Sequence, residues 1–187
     1  LDVSTDIDGE PRPQGPGCDA GADEFGTGPG GGVVDTGPKA SLWVASTQDG
    51  GKSTCARASS PVNFETAKTN GNVCNTINTA WGKCVASSSE TIIIKANTNI
   101  YPSETITGDK ADPGCRFVGE DGVRIASIFP QGAFFTLENV TIDYGNSHGN
   151  AVIVDGKDVT FKKVNLHGPY VNMKVQNGDR FTWQKGT

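Results

Sequence analysis

The stretch that decides the fold is Phe135–Ile142, which reads FTLENVTI. The same pattern returns at Val159–Leu166 as VTFKKVNL, offset by 24 residues, and starts again at Phe181–Thr187 as FTWQKGT, 22 residues later. The first two copies run apolar, Thr, apolar, polar, polar, apolar, polar, apolar. Alternate residues of a β-strand point to opposite faces, so each copy places its apolar side chains on one side. The two successive polar residues indicate a bend, after which the same side is apolar again.

A repeat with a fixed period of about 20 to 50 residues is typical of a solenoid or an array. Strand, bend and strand within about 22 residues form one coil of a β-solenoid. Trp183 occupies the position of Leu137 and Phe161, so we expect it to face the core. The Leu and Asn consensus of a leucine-rich repeat is absent from these copies. A β-sandwich remains an alternative, because short strands with frequent turns suit it too.

Other segments before the repeat also have a clear periodicity. The residues at Val73–Cys84 are apolar at the i, i+4, i+7 and i+8 positions of one helical face, with Asn72 as the N-cap, so we predict a helix there. Short apolar and β-branched runs predict strands at Ser41–Ala45, Thr91–Lys95, Arg116–Val118 and Val123–Ile125. The expected fold is therefore all-β with one helix ahead of the coils.

Bulk composition excludes several classes of function. The chain has 187 residues, a net charge of −5 and a pI of about 5.0, with its 16 Lys and Arg dispersed. A nucleic-acid-binding protein needs a basic patch, so we expect no nucleic-acid partner. No stretch approaches the ~20 apolar residues of a membrane span. The 25 Gly and 10 Pro residues favour many turns.

Residues 1–38 form a block distinct from the rest. This block contains a cluster of acidic residues and few large apolar residues. It also contains three prolines between residues 11 and 16 and the run Gly30–Gly32. We expect residues 26–38 to be a linker, since Gly-rich segments behave as flexible chains. The predicted division is an acidic Gly/Pro-rich segment at 1–38 and a β-helix with an N-terminal cap at 39–187.

The order of elements from residue 41 onward resembles the N-terminal end of the right-handed parallel β-helix proteins of the pectate-lyase-like superfamily. A short strand, a Gly loop with a Cys, an amphipathic helix and then regular coils follow one another. In that superfamily such a helix plugs the open end of the solenoid. The resemblance assigns the plug to Val73–Cys84, with Trp81 as its core anchor, and a turn to Ile100–Pro102.

The first block resembles the opposite end of such proteins. Asp6–Pro13 and Asp19–Phe25 are similar to the closing segment of many bacterial exported β-helix proteins. We expect a tandem array in which the tail of one module precedes the head of the next. A circular permutation and an accidental match are the alternatives. The resemblance implies a bacterial-type exported protein that is secreted or held at the cell surface.

Five cysteines, at positions 18, 55, 74, 84 and 115, show no zinc-binding spacing, so disulfides are the preferred interpretation. We predict a Cys55–Cys74 bridge, because both residues fall in the cap implied by the resemblance. Cys84–Cys115 would then join the end of the helix to an early coil. Cys18 is left over, either free or paired with another module. Buried thiols are the alternative.

Acidic residues of the first block are candidate calcium ligands. Ca²⁺ takes six to eight oxygen ligands, and D-x-D-G loops supply them. We predict Asp6, Asp8, Asp19 and Asp23 as the possible Ca²⁺ site, with no other cofactor. The EF-hand spacing fails here, and a solvated acidic loop is the alternative.

No catalytic constellation stands out, so we assign no catalytic residue. Asp121, Asp143, Asp155 and Asp158 fall at coil turns, where paired carboxylates would suit sugar chemistry but where Asp is also a common turn residue. His148 and His167 are candidate general bases without a partner that the sequence can name. Tyr144 and Tyr170 follow strands and are candidate sugar contacts.

The leading hypothesis is therefore a non-catalytic exported β-solenoid module, structural or polysaccharide-binding, at the cell surface or in extracellular matrix. Its expected partners are polysaccharides or neighbouring β-helix modules. One alternative is a polysaccharide lyase or glycoside hydrolase, since a fold alone does not determine function. Another is a subunit that self-assembles into filaments through the solenoid ends, where strand edges can template another chain.

Overall fold

The computed structural model describes residues 37–86, 90–145, 149–169 and 171–185. Within these residues the helices are α1 (Phe64–Asn70) and α2 (Ile77–Lys83). The strands are β1 (Trp43–Val44), β2 (Val73–Cys74), β3 (Thr91–Ile94), β4 (Glu104–Ile106), β5 (Cys115–Gly119), β6 (Arg124–Ile125), β7 (Ile128–Pro130), β8 (Phe135–Asp143), β9 (Gly149–Val154), β10 (Thr160–His167), β11 (Val171–Val175) and β12 (Thr182–Gln184).

The strands form two sheets with parallel pairing throughout. The larger sheet has the order β2-β1-β3-β5-β8-β10-β12, with β6 also paired to β8, and the smaller has the order β4-β7-β9-β11. From β8 onward the chain alternates between the two sheets, so each coil adds one strand to each. The result is a parallel β-solenoid of about four turns, which confirms the predicted fold class and excludes the sandwich.

The repeat in the sequence corresponds to the strand register of the larger sheet. Leu137 pairs with Phe161, and Phe161 pairs with Trp183, so the two offsets of the repeat are the lengths of successive coils. Leu137 and Phe161 are fully buried, and the partly buried Trp183 packs against the same core. The rings of Phe161 and Trp183 lie 5.8 Å apart between centroids. Trp183 therefore continues the interior stack, as predicted.

The earlier coils belong to the same stack but differ in length. Ile92 pairs with Phe117, and Phe117 pairs with Leu137. The step from Ile92 to Phe117 covers more residues than the step from Phe117 to Leu137. A fixed period therefore describes the first coils less well than the later ones. The strands predicted at Arg116–Val118 and Val123–Ile125 are present as β5 and β6.

The predicted bend lies at the second of the two polar residues in each copy. Asn139 has φ 55° and Lys163 has φ 51°. Single residues in this left-handed region turn the chain, and Asn tolerates the conformation better than most residues. The Asn139 amide also donates to the Gly119 carbonyl of the preceding coil at 2.8 Å. This contact ties one bend to the coil below it.

Helix α2 closes the end of the solenoid through Trp81. Its side chain is 1% exposed, and its ring centroid lies 5.6 Å from that of Phe135. The indole N–H donates to the Gly108 carbonyl at 2.8 Å. Trp81 is therefore the core anchor of the cap, as the resemblance implied.

The predicted start of this helix is wrong. The helix begins at Ile77 with Thr76 as its N-cap, whereas Val73 and Cys74 form β2 and pair in parallel with β1. Asn72 is not the N-cap; its amide donates to the Ala56 carbonyl at 2.9 Å. The Cys74 disulfide and the pairing with β1 hold this segment extended, which overrides the helical spacing of its apolar residues.

A second helix, α1, was not predicted. It begins after the N-cap Asn63 and ends at Gly71, whose φ of 74° suits a left-handed C-cap. Phe64 packs edge-on against Trp43 with 5.3 Å between ring centroids. Helix α1 thus covers the outer face of β1 and forms a small core separate from the solenoid interior.

Candidate functional site

Two disulfides fix the cap to the coils. Cys55 is bonded to Cys74, and Cys84 to Cys115, the two pairings preferred from the sequence. The first joins the loop after β1 to β2, and the second joins the end of α2 to the start of β5. Cys18 lies outside the described residues.

The predicted calcium ligands also lie outside the described part of the chain. Asp6, Asp8, Asp19 and Asp23 all precede residue 37, so the calcium site stays a prediction. Between residues 37 and 185, the described positions contain no group of three or more His, Cys, Asp or Glu residues that could hold a metal ion.

The turn aspartates are each held by a residue from a neighbouring coil. Asp121 accepts from the Asn139 amide at 3.1 Å. In the same way Asp158 forms an ion pair with Arg180 at 2.5 Å, which lowers the pKa of the carboxyl group. Both residues of this exposed pair have a positive φ, 52° and 59°. These contacts show carboxylates acting as bridges between turns.

Asp143 has the richest set of contacts among the turn aspartates. Its side chain is 5% exposed, and Oδ2 accepts from Nε of Arg124 at 3.0 Å and from Nη2 of the same guanidinium. Oδ1 accepts from the backbone N–H of Gly145 at 3.2 Å and lies 3.3 Å from Nδ1 of His167. The Arg124 hydrogen bonds are the main reason that the pKa of Asp143 is lowered. Asp143 is thus held ionised and cannot serve as a general acid near neutral pH.

The structure therefore gives His167 the partner that the sequence did not identify. Asp143 and His167 lie opposite each other on adjacent strands of the larger sheet. Asp143 and His167 are 24 residues apart, the same offset that relates the first two copies of the repeat. The imidazole is 74% exposed on its side-chain surface. His148 lies outside the described residues, so its position relative to this pair stays untested.

Further ion pairs neutralise the outer face of the larger sheet. Arg116 contacts Glu138 at 2.6 Å, and Lys95 contacts Glu120 at 3.0 Å. Each pair joins residues of different coils, so the carboxylates and cations hold one another across the stack. The cations of these pairs remain at least one-third exposed, so each pair contributes about 1 kcal/mol.

Glu104 is buried for a structural reason. Its side chain accepts from the backbone N–H groups of Ile77 and Asn78, at 3.2 Å and 3.4 Å, at the start of α2. The residue is only 4% exposed, and burial raises the pKa of its carboxyl group. Glu104 thus satisfies helix N–H groups that would otherwise lack acceptors.

The tyrosines predicted as sugar contacts give little support to that role. Tyr144 is partly buried and packs against the solenoid core, while Tyr170 lies outside the described residues. A partly exposed aromatic side chain lies elsewhere, on the smaller sheet. There β7 points Ile128 and Pro130 inward and leaves Phe129 half-buried on the outer face.

A column of outward side chains crosses the smaller sheet at Phe129. Thr105 pairs with Phe129 on one side, and Ile153, which follows Val152 in the next strand, lies on the other. Ile153 in turn pairs with Lys174. Adjacent strands lie about 4.8 Å apart, so four strands give a track of about 14 Å along the solenoid axis.

Three residues of this column, Thr105, Phe129 and Ile153, line a depression of about 250 Å³, which we call the Phe129 groove. Its floor is Thr105, Phe129 and Ile153, and its polar wall is Gln131, Asp155 and Gln176. The Asp155 carboxylate accepts from the Asn177 amide, so one rim residue is oriented by the next coil. An apolar floor with a few polar groups at the edge is the usual chemistry of a binding site.

The sequence carried a weak signal for this groove. Ile128-Phe129-Pro130 alternates like a strand, which would place its aromatic residue on the face opposite to Ile128. Such a short run is hard to recognise as a strand without its neighbours in the sheet.

No protein-family model, curated protein or solved structure matches this chain. Among the described residues, neither helix is long and apolar enough to cross a membrane.

Proposed function

We propose that this chain is a non-catalytic β-solenoid module that binds polysaccharide at the cell surface or in extracellular matrix. The single observation that carries the proposal is the Phe129 groove, which runs across successive coils of the smaller sheet. A polymer with a regular repeat suits a surface that is itself repeated along one axis.

The floor of the groove is suited to a sugar ring. The half-buried ring of Phe129 presents an apolar surface, with Ile153 beside it in the next strand. Sugar rings have apolar C–H faces that pack on such surfaces, while their hydroxyl groups need polar partners. Gln131 and Gln176 provide amides at the groove wall for this purpose.

The charges around the groove favour a neutral polysaccharide. Asp155 is the one charged residue among the described residues that line it. A carboxylate there repels a polyuronate chain, and the nearest cation in the column, Lys174, lies one strand beyond Ile153. We therefore expect neutral glucans, mannans or xylans to bind better than polygalacturonate.

The contacts of the turn carboxylates support a binding role over a catalytic one. Glycoside hydrolysis needs one carboxylic acid and one carboxylate flanking the bond. Asp143 is kept ionised by Arg124, and Asp158 by Arg180. The disulfides Cys55–Cys74 and Cys84–Cys115 support an oxidising compartment such as the cell exterior.

Affinity electrophoresis through gels containing β-glucan, galactomannan, xylan or polygalacturonate tests this proposal. We expect retardation by at least one neutral polymer, and loss of that retardation in Phe129→Ala. Val118→Ala is the matched control, because Val118 is a half-buried residue in β5 of the other sheet. Retardation by polygalacturonate alone, or equal retardation of the wild type and Phe129→Ala, would contradict the proposal.

The Asp143–His167 pair favours one alternative, a polysaccharide lyase or hydrolase. A carboxylate that orients an exposed imidazole is a recurring arrangement for a general base. Release of soluble sugar from acidic or neutral polysaccharides, with and without Ca²⁺, tests this alternative. Activity that His167→Ala abolishes would establish an enzyme in place of the binding module.

A further inference from the structure

One end of the solenoid presents an open apolar surface. β12 and β11 stand last in the order of the larger and the smaller sheet, so among the described strands each has a neighbour on one side only. We call the surface between these two strand edges the end face, and its residues are Leu166, Met173, Val175, Phe181 and Trp183. Contiguous exposed apolar surface is typical of an interaction site.

The aliphatic side chains of the end face occupy inward positions of their coil. Met173 pairs with Val152, and Val175 pairs with Val154, and both partners are fully buried. Met173 and Val175 are nevertheless 39% and 41% exposed. Leu166 of the larger sheet has a buried strand partner in the same way and is 36% exposed. In the earlier coils such positions are covered by the coil that follows, so the end face fits a partner that resembles a coil.

Two aromatic rings lie beside these residues on the larger sheet. Phe181 and Trp183 both pack on Phe161, with 5.5 Å and 5.8 Å between ring centroids, and both remain partly exposed. Their own centroids are 6.4 Å apart. Aromatic side chains bury large areas and dominate the energetics of interfaces. The rings therefore add a strong apolar contact to the end face.

The edge of β12 is suited to pairing with another strand. The Thr182 N–H donates to the Val159 carbonyl at 2.9 Å, toward β10. Backbone groups of successive strand residues point to opposite sides, so the N–H and C=O of Trp183 point to the open edge. Edge strands are usually protected by charged residues or proline, but β12 consists of Thr182, Trp183 and Gln184.

The edge of β11 is less regular than that of β12. The register of β11 with β9 shifts between Asn172 and Met173, and β11 also carries Lys174. A bulge and a lysine are both devices that discourage pairing at an edge. We therefore assign the strand pairing to β12 and only apolar side-chain contacts to β11.

The opposite end of the solenoid determines how a second copy can approach. There helix α2 covers the interior, and Trp81 is 1% exposed. Head-to-tail stacking would place this covered end on the end face, where it offers no apolar interior. Two end faces can meet instead, because a two-fold axis normal to the larger sheet makes the two β12 strands antiparallel. Such an isologous contact closes after two copies, whereas a head-to-tail contact would extend into a filament.

We infer that the end face binds a second copy of this chain and forms a two-fold dimer through β12. On the axis, Trp183 lies opposite the partner's Trp183. Each N–H donates to the C=O of the other residue, the exchange that defines a hydrogen-bonded antiparallel pair. The aromatic rings of both copies then pack with Met173 and Val175 in a shared core. The dimer does not depend on the Phe129 groove, which lies on the outer face of the smaller sheet.

Sedimentation velocity of the full chain over a range of concentrations tests the inference. We expect a monomer that converts to a species of two copies and no larger one. Met173→Lys places like charges at the interface, so its dissociation constant should rise about a hundredfold. Ile100→Lys is the matched control, because Ile100 is also 39% exposed but lies outside the end face. Both positions are exposed, so both variants should keep the melting temperature of the wild-type monomer.

A disulfide cross-link tests the antiparallel arrangement. The two-fold axis places Thr182 opposite the partner's Gln184 as a non-hydrogen-bonded pair, with about 4.5 Å between Cα atoms, which suits a disulfide. Thr182→Cys with Gln184→Cys, in a Cys18→Ser background, should give a covalent dimer on a non-reducing gel. Thr160→Cys with Lys162→Cys repeats the spacing in β10, which has strands on both sides, and should stay monomeric.

Four results would overturn the inference. These are a monomer at every concentration, assembly beyond two copies, a dimer that Met173→Lys leaves as stable as wild type, and a dimer without the cross-link between positions 182 and 184. Loss of polymer binding in Phe129→Ala should leave the dimer intact, so the proposed function and this inference fail separately.

Discussion

Replacing Gly132 by Ala probes how closely the coils approach each other. Gly108, Gly132 and Gly156 recur every 24 residues. A Cβ atom on Gly132 would lie 2.3 Å from the Gly108 carbonyl oxygen and 3.3 Å from the Trp81 ring. A Cβ on Gly156 would meet the carbonyl oxygen of Gly132 at 2.2 Å in the same way. One coil therefore rests on the backbone of the coil before it.

The expected loss of stability follows from these distances. Ordinary contacts between heavy atoms are about 3.5–4.0 Å, so the Gly132→Ala methyl group would require a displacement of more than about 1 Å. Overpacking of this kind costs about 1–3 kcal/mol. The Gly108 oxygen also accepts the Trp81 indole N–H at 2.8 Å, and weakening that bond adds about 1 kcal/mol. We expect Gly132→Ala to lose about 2–4 kcal/mol of unfolding free energy.

Denaturant unfolding followed by tryptophan fluorescence measures this change, with Gly82→Ala as the matched control. Gly82 lies in α2, and a Cβ there would meet nothing within 4 Å. Ala is a better helix former than Gly by about 1 kcal/mol, so Gly82→Ala should be neutral or stabilising. A Gly132→Ala protein within about 0.5 kcal/mol of wild type would refute the close-contact argument, since that is the range of surface substitutions.

Three further outcomes follow from the contacts described above. Replacing Cys84 and Cys115 by Ser removes their disulfide and should lower the free energy of unfolding by about 4 kcal/mol, as denaturant unfolding would measure. This is the loop-closure value for a sequence separation of 31 residues. Burial raises the pKa of Glu104, so ionisation of this carboxyl group opposes folding as pH rises above 4.5. Between pH 4 and 7 the melting temperature of Glu104→Gln should therefore fall less than that of wild type. Arg124 lowers the pKa of Asp143, so the stabilising contribution of the Asp143 carboxylate is present above pH 3.8 and is lost as pH falls below that value. The difference in melting temperature between wild type and Asp143→Asn should therefore narrow below pH 3.8.

The fold was largely predictable because the repeat encodes the strand register directly. The offset between Phe135–Ile142 and Val159–Leu166 is the pairing of β8 with β10, residue by residue. Alternation identified the inward positions, and the polar pair located the bend. Local pattern and tertiary packing agree in these coils, which is the condition under which sequence reasoning succeeds.

The start of the chain was harder to predict because long-range contacts override local spacing. Val73 has a helical position relative to Ile77, yet it forms a strand that pairs with Trp43, on the far side of α1 in the sequence. Helix α1 depends on Phe64 packing against Trp43, which its short sequence does not reveal.

The candidate sites were less predictable for a different reason. Phe129 lies in a strand of three residues, and its neighbours in the groove come from other coils. Residues of β8 pair with residues 24 positions later in β10. The same offset places His167 opposite Asp143, so the repeat contained the information needed to predict this pair.

The register between β8 and β10 has a consequence for how such a molecule can change in size. The strand residues of β8 have their counterparts at the same positions of the next coil, in β10. A duplicate of the segment 135–158 inserted after residue 158 would offer its neighbours the same edges, the same bends and the same inward side chains. Length and cross-section are therefore separable properties of this protein. Tandem duplication or removal of one segment changes how far the molecule reaches while leaving the cap, and each remaining interface between coils, as it was.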